Sequence, residues 1–298
     1  MEQNNRPNFF LVGAPKCGTT FLYNSLRKHP EIYLPAEKEL HYFASDLYPA
    51  NYITESQYHS LFSGIKSEKV IGEASVWYLY SDCAAERIKK YNSDAKILIM
   101  LRNPIDMLRS LHSHFVFDNM ENIENFEDAL NAEPERKLGK NISPNIYAPI
   151  MIYYTELGKY FKYVKKYFDI FGEDNVHVIL YDELSVDPDK TFLNLLKFLD
   201  VDENVSIKRS RDNVSKIPRF KLVSRIINPG AKVKALIRLF LPFKARRKLI
   251  EIIVKLNSKN TPSKQMGKEM MTKWNKLFVK DIDELSKLIK KDLAGWSE

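Results

Sequence analysis

Apolar residues are not spread evenly along this chain. They gather into short unbroken runs, each followed by small or polar residues and then by a segment of helical periodicity. Phe9-Phe10-Leu11-Val12 runs into Gly13, and Val70-Ile71-Gly72-Glu73 is a shorter run. Ile97-Leu98-Ile99-Met100-Leu101 follows Lys96, and Val176-His177-Val178-Ile179-Leu180-Tyr181 comes last. Such runs are what strands covered on both faces require. Ile32-Tyr33-Leu34 adds a short strand beyond His29-Pro30, where the first helical pattern stops. Helices are predicted from Phe21, over Asp82–Tyr91, from Pro104, over Gly158–Phe168 and over Thr191–Leu199. Pro104 suits the first turn of its helix. The alternation predicts an α/β fold of three layers, with a mostly parallel central sheet and helices on both faces.

Two stretches depart from this rhythm. Phe117 to Pro149 is polar and broken by Pro134, Pro144 and Pro149, and reads as a partly helical excursion over the ligand side. From Val214 to Ser263 every charged residue except Glu251 is a cation, with apolar residues interleaved at helical spacing and breaks at Pro229-Gly230 and Pro242. That segment predicts a basic helical annex. Its apolar face would pack on the core with its cations in solvent, or its cations would meet anionic lipid or a polyanion. A last helix is expected over Asp281–Leu293, with Trp296 as its anchor. One domain is expected over 1–298, with its core at about 8–212 and the annex at about 213–298.

Composition narrows the class. The chain has 298 residues, 46 Lys plus Arg against 38 Asp plus Glu, and a net charge of +8, a balance that suits an anionic ligand or surface. The aromatic stripe in Gly158–Phe168 reads as core and not as a base-stacking platform, so no nucleic-acid partner is expected. No apolar run approaches the roughly 20 residues that span a bilayer. The two cysteines, Cys17 and Cys83, are read as free thiols of a reducing compartment. The first strand is expected to begin by about Asn8, and no leader is expected before it. The expectation is a cytoplasmic protein, peripheral at a membrane if the annex binds lipid.

The chemistry concentrates at Gly13-Ala14-Pro15-Lys16-Cys17-Gly18-Thr19-Thr20. A buried strand, a glycine-bearing loop and a helix start together make an anion cradle, because loop amides and the helix N-terminus point at one phosphate-like group. The nucleotide-binding loop Gly-x-x-x-x-Gly-Lys-Ser/Thr has the same glycine separation, but Thr19 stands in its lysine position. The nearby cation is Lys16, in the middle of the loop. A second strand-to-helix turn, Arg102-Asn103-Pro104, falls at the same sheet edge, where open α/β folds bind ligands. From spacing alone, Pro35-Ala36-Glu37-Lys38-Glu39-Leu40-His41-Tyr42-Phe43 reads as a solvated loop with aromatic anchors. If it is extended, Glu39 and His41 face the same way. His112 and His114 read as packing or helix-surface residues. No residue cluster suggests a metal site.

Taken together, these motifs resemble, in order, those of the sulfotransferases that use 3′-phosphoadenosine 5′-phosphosulfate (PAPS). Ala14 to Thr20 resembles the 5′-phosphosulfate loop. Leu101-Arg102-Asn103-Pro104-Ile105-Asp106 with Ser110 is similar to the 3′-phosphate site. Lys38-Glu39-Leu40-His41-Tyr42-Phe43 resembles the segment that carries the catalytic glutamate in the heparan sulfate type enzymes, and Tyr181-Asp182-Glu183-Leu184 a late strand-to-helix junction. The resemblance implies PAPS as co-substrate and adenosine 3′,5′-bisphosphate as product, with no metal. Cofactor contacts would come from Lys16, Cys17, Gly18, Thr19, Thr20, Arg102, Ser110 and Tyr181. It implies a hydroxyl-bearing acceptor, a glycan or glycolipid, with Lys16 countering charge on the departing 5′-phosphate. The base would be Glu39, with His41 as acceptor-orienting group or as the base instead.

Two departures separate the chain from the heparan-type enzymes, which usually carry a lysine where Ala74 follows Glu73. Their late lysine-bearing, disulfide-supported loop has as its counterpart Ser215-Lys216-Ile217-Pro218-Arg219, without flanking cysteines. Lys216 and Arg219 are the cofactor contacts expected from it. The pattern therefore points to a divergent, bacterial-type relative. Two other functions fit part of it: a P-loop kinase or phosphotransferase, and a non-catalytic module binding a polyanion or membrane surface through 214–263.

Overall fold

The computed structural model describes residues 6–48, 52–205, 216–218, 258–260 and 268–297. Five strands form its sheet: β1 (Phe9–Gly13), β2 (Ile32–Tyr33), β3 (Val70–Ala74), β4 (Lys96–Leu101) and β5 (Val176–Leu180). Their order is β2-β3-β1-β4-β5, and every neighbouring pair is parallel. All of β1 and β3 is buried, as is β4 beyond Lys96, so these strands have no solvent face with which to alternate. The chain leaves β1 toward the β2 side and later places β4 on the other side of β1. The crevice at the carboxyl ends of β1 and β4 is therefore the switch point of the sheet, where α/β folds take ligands.

Helices follow the strands as the periodicity predicts: α1 (Thr19–Leu26) after β1, α3 (Ala84–Tyr91) after β3 and α4 (Pro104–Phe117) after β4. A further helix, α2 (Glu55–Ser60), had a signal in the sequence that the apolar pattern passed over. Thr54 and Gln57 form a capping box, each side chain accepting from the other's backbone N–H. A 3₁₀ turn, Val76–Tyr80, leaves β3 and packs against β1. A Cβ on Gly13 would lie 2.6 Å from Leu79 Cβ, so this close approach needs glycine.

Compactness divides the chain into two units. The first holds the sheet and comprises residues 1–107, 158–213 and 272–298. In it α8 (Phe161–Phe171) starts later than the sequence suggests, where the Asp281 carboxylate accepts from the Phe161 N–H at 3.1 and 3.3 Å. Tyr163 and Tyr167 on α8 are buried, as the core reading of the aromatic stripe requires. Beyond β5 come α9 (Tyr181–Val186) and α10 (Pro188–Leu199). The last helix, Lys268–Ile289, begins before and ends before the predicted span, because Lys290 turns left-handed at φ 55°. Trp296 is the anchor expected of it: buried, it donates from Nε1 to Asp182 and accepts from Asn103 at its carbonyl.

The second unit comprises 108–157 and 214–271. It contains α5 (Phe126–Asn131), α6 (Glu133–Lys137) and α7 (Tyr154–Leu157). Arg136 Nη2 donates to both carboxylate oxygens of Glu121 there at 2.8 Å, with both side chains buried and the Tyr154 hydroxyl donating to the same carboxylate. His112 is buried against the Ile123 carbonyl and His114 pairs with Asp118, so both are packing and surface residues. The helical annex expected after Val214 is not what the described part of that segment shows. Its two ends are extended: β6 (Lys216–Pro218) pairs antiparallel with β7 (Ser258–Asn260). Pro218 explains one end, since a residue before proline is pushed toward extended backbone. The remaining expected helices of the annex lie outside the described residues.

Candidate active site

The cradle forms where β1 ends. Lys16 and Gly18 both take left-handed backbone, at φ 61° and 83°, and Gly18 is the N-cap of α1. No side chain caps α1, so no cap accepts from its first amides. A Cβ on Gly18 would lie 3.3 Å from the Tyr181 ring. Cys17 is fully buried and donates to the Pro15 carbonyl. Burial pushes its thiol up to about 12, against the opposing pull of Arg102 and Lys16. It is a neutral packing group, and what it offers a ligand is its backbone.

Arg102, at the end of β4, places its guanidinium 4.7 Å from the centre of the Tyr181 ring and pairs with Asp106 at 3.4 Å. Tyr181 thus stands between Gly18 of the first turn and Arg102 of the second. Ser110 lies one helical turn beyond Asp106 on α4, half-buried. It belongs to the second unit, as does Lys216, whose backbone is in β6. Arg219 lies outside the described residues.

The Lys38–Phe43 segment is not the solvated, extended loop its spacing implies. Leu40, His41 and Phe43 are buried, and Glu39 and His41 are both left-handed, at φ 63° and 55°. The two side chains meet nonetheless, with His41 Nε2 3.7 Å from Glu39 Oε2. Glu39 is fixed from three sides: its N–H donates to the Ala74 carbonyl, its Oε2 accepts from the Val76 N–H at 2.9 Å, and its Oε1 accepts from Lys38 Nζ at 2.8 Å. Lys38 Nζ also donates to Thr19 Oγ1 at 3.0 Å. One ammonium therefore ties a carboxylate to the turn that starts α1. Sequence reasoning gave Lys38 no role, because residues 19 positions apart carry no spacing signal.

Beneath this segment lies Glu73 on β3, 1% exposed, accepting from Tyr58, Tyr78 and Ser75 hydroxyls at 2.7, 2.5 and 2.8 Å. Ser75 and Tyr78 in turn accept from the His41 and Phe43 amides, so the buried carboxyl braces the loop that carries Glu39. Burial raises Glu73 to about 7 against those three hydroxyls, and the nearby Glu39 adds to the rise. Burial and then the Lys38 charge lower His41 to about 3. The two groups give opposite pH dependences.

Between pH 6.5 and 3 the unfolded chain protonates His41 and the folded chain does not, so acidification costs stability. Between pH 4.5 and 7 folded Glu73 holds a proton that the unfolded chain releases, so acidification adds stability. From pH 8 to 5 each is worth about 2 to 3 kcal/mol, with opposite sign. The urea midpoint of His41→Asn should rise, relative to wild type, on going from pH 8 to pH 5, and that of Glu73→Gln should fall. Parallel profiles for all three proteins would refute the assignment.

The parallel sheet in this order brings the glycine-bearing turn after β1 and Arg102 to its switch point, with the Glu39 carboxylate tied to Thr19 of that turn through Lys38. The chain belongs to the sulfotransferase family, whose model, described as a sulfotransferase domain, matches residues 6–224. A solved sulfotransferase from Alicyclobacillus acidocaldarius is 30% identical, with 98% of this chain and 99% of that one covered and a TM-score of 0.72. The membrane-associated sulfotransferase kil1 of Dictyostelium discoideum is 37% identical over 109 residues, 36% of this chain and 22% of the relative. Carbohydrate sulfotransferase 15 of Rattus norvegicus is 24% identical over 248 residues, 65% of this chain and 44% of the relative. The chain spans less than half the length of these curated relatives.

Proposed function

We propose that this protein transfers the sulfuryl group of PAPS to a hydroxyl of a carbohydrate acceptor, with Glu39 as general base. The observation that carries the reading is the Thr19–Lys38–Glu39 chain, which fastens a carboxylate to the phosphate cradle. The donor's features match the residues present. The uncapped α1 amides and the Thr19 and Thr20 hydroxyls suit the 5′-phosphate, and the planar fork of Arg102 suits the 3′-phosphate. The acceptor class draws support from the carbohydrate sulfotransferase among the relatives.

As in phosphoryl transfer, the protein's part is positioning and charge stabilisation. The attacking hydroxyl must give up its proton as its oxygen bonds to sulfur and the bridging oxygen departs. Glu39 takes that proton: its side chain is 32% exposed, and each carboxylate oxygen keeps lone-pair capacity beyond the contacts described. His41 is the less accessible base, with 4% of its side chain exposed against 32% for Glu39. As a neutral imidazole beside Glu39 it orients the acceptor. Lys16 and Lys38 place positive charge at the leaving and transferring oxygens.

A kinase reading fits less well. Glu73, the carboxylate on the strand beside β1, is sealed against three hydroxyls, and Thr19 occupies the lysine position of the nucleotide loop. Lys38→Met should lower turnover roughly 10- to 100-fold, the worth of a charge-assisted hydrogen bond, with adenosine 3′,5′-bisphosphate affinity within about threefold of wild type. Equal losses in turnover and nucleotide affinity would make Lys38 a donor-binding residue instead. The activity itself is tested by incubating the protein with sulfur-labelled PAPS and a panel of desulfated glycans. Label should appear in a glycan; label transferred from γ-labelled ATP under the same conditions would overturn the proposal.

A further inference from the structure

The short segment that follows the last helix reaches two strand-to-helix turns at once. Lys290 reverses the chain with left-handed backbone at φ 55°, and Leu293 and Trp296 beyond it are buried. Trp296 Nε1 donates to Asp182 Oδ2 at 3.1 Å, and the Trp296 carbonyl accepts from Asn103 Nδ2 at 3.1 Å. Asn103 directly follows Arg102, and Asp182 directly follows Tyr181. Trp296 lies 193 residues from one partner and 114 from the other, so no local chain geometry fixes the spacing it spans.

Both ends of this strut are themselves braced. Asn103 Oδ1 accepts from the Ile105 and Asp106 N–H groups at 3.0 and 3.4 Å, at the start of α4, and Asp106 pairs with Arg102. One carboxamide therefore joins Trp296 to the helix start that carries the partner of Arg102. At the other end, Lys291 Nζ donates to both carboxylate oxygens of Glu183 at 2.6 and 2.7 Å. Glu183 Oε2 also accepts from the Leu180 N–H at 3.1 Å, closing the first turn of α9 around Tyr181. The Trp296 ring packs against fully buried Tyr160 at 6.3 Å and 61°, and the Tyr160 hydroxyl lies within the electrostatic reach of Cys17 and Arg102.

We propose that Trp296 is a positioning residue for the nucleotide donor, holding the Arg102 and Tyr181 turns at the separation that keeps the guanidinium set for the 3′-phosphate. The inference rests on the sulfotransferase reading, in which Arg102 meets that phosphate. Arginine has a long side chain, and fixing it costs conformational entropy unless the protein has already fixed it. Here two supports fix it, the Tyr181 ring at 4.7 Å and Asp106 at 3.4 Å. Each support stands on a turn that Trp296 grips. Trp296 acts through Arg102 and Tyr181, so its loss should be felt where the 3′-phosphate is read and not at the turn that starts α1.

The test is calorimetric titration with adenosine 3′,5′-bisphosphate and, separately, with adenosine 5′-phosphate. Trp296→Phe keeps an apolar ring and loses the N–H. It should weaken the bisphosphate about tenfold and leave the 5′-phosphate within about twofold of wild type. Asp182→Ala should show the same selective loss, and the double variant no more than either, because one hydrogen bond is removed in all three. Asp182→Asn keeps an acceptor oxygen and should restore most of the bisphosphate affinity. Asp182 is exposed, so its two variants decide the matter if Trp296→Phe fails to fold. Wild-type bisphosphate affinity in Trp296→Phe or Asp182→Ala, or equal losses for the two nucleotides, would overturn the positioning role. Either result with the wild-type preference for the bisphosphate intact sinks this inference alone. A wild type that binds both nucleotides equally would sink the sulfotransferase reading of Arg102 as well.

Discussion

Glu39→Gln is expected to lower turnover by about 10² to 10⁴, the span that a positioned general base contributes, with the fold and nucleotide affinity retained. Glutamine keeps the shape and keeps an acceptor for the Val76 N–H, but it cannot take the acceptor's proton. The loss of negative charge also releases Lys38, which now spends one of its hydrogen bonds on Glu39 Oε1 at 2.8 Å. The measurement is single-turnover transfer from labelled PAPS, with circular dichroism as the control for folding. Near-normal turnover would remove Glu39 from the base role. A loss that appears wholly as weaker nucleotide binding would make it a donor-site residue.

Arg102→Ala is expected to weaken adenosine 3′,5′-bisphosphate by about 2 to 3 kcal/mol, roughly 30- to 150-fold, from the worth of charge-assisted hydrogen bonds to phosphate. Adenosine 5′-phosphate, which lacks the 3′ group, should lose far less, because the cradle at α1 is untouched. Arg102→Lys should recover only part of the loss. Lysine keeps the charge but not the fork, nor the guanidinium face that lies over Tyr181 at 4.7 Å. Equal losses for both nucleotides would place Arg102 at the 5′-phosphate or in a purely structural role.

Much of this was legible in the sequence, for a physical reason. Parallel strands buried on both faces are apolar for most of their length, so β1, β4 and β5 announced themselves as apolar runs, and a helix does start near Pro104 as expected. The turn after β1 was legible because an apolar run, small residues and a helical pattern follow one another there. Ser110 could be placed on its helix, and Trp296 as an anchor. What stayed hidden was whatever depends on backbone sign or on distant partners. Left-handed Glu39 and His41 look, in sequence, like any polar and apolar alternation. Their approach depends on hydrogen bonds to Ala74, Ser75 and Val76, more than 30 residues away. Lys38 bridging to Thr19 and Glu73 bracing the loop are invisible for the same reason. The start of α8 was misplaced because its cap, Asp281, comes from another element 120 residues on. The helical periodicity after Val214 pointed away from β6 and β7, although Pro218 was there to argue against a helix at one end.

The central claim is that the cradle and Arg102 form a site for an adenosine bisphosphate and not for a nucleoside triphosphate with magnesium. The direct test is calorimetric titration of the full chain with adenosine 3′,5′-bisphosphate and, separately, with ATP–Mg, each repeated on Arg102→Ala. The bisphosphate should bind at least 100-fold more tightly than ATP–Mg, and Arg102→Ala should remove most of that preference. Tighter binding of ATP–Mg to the wild-type protein would contradict it.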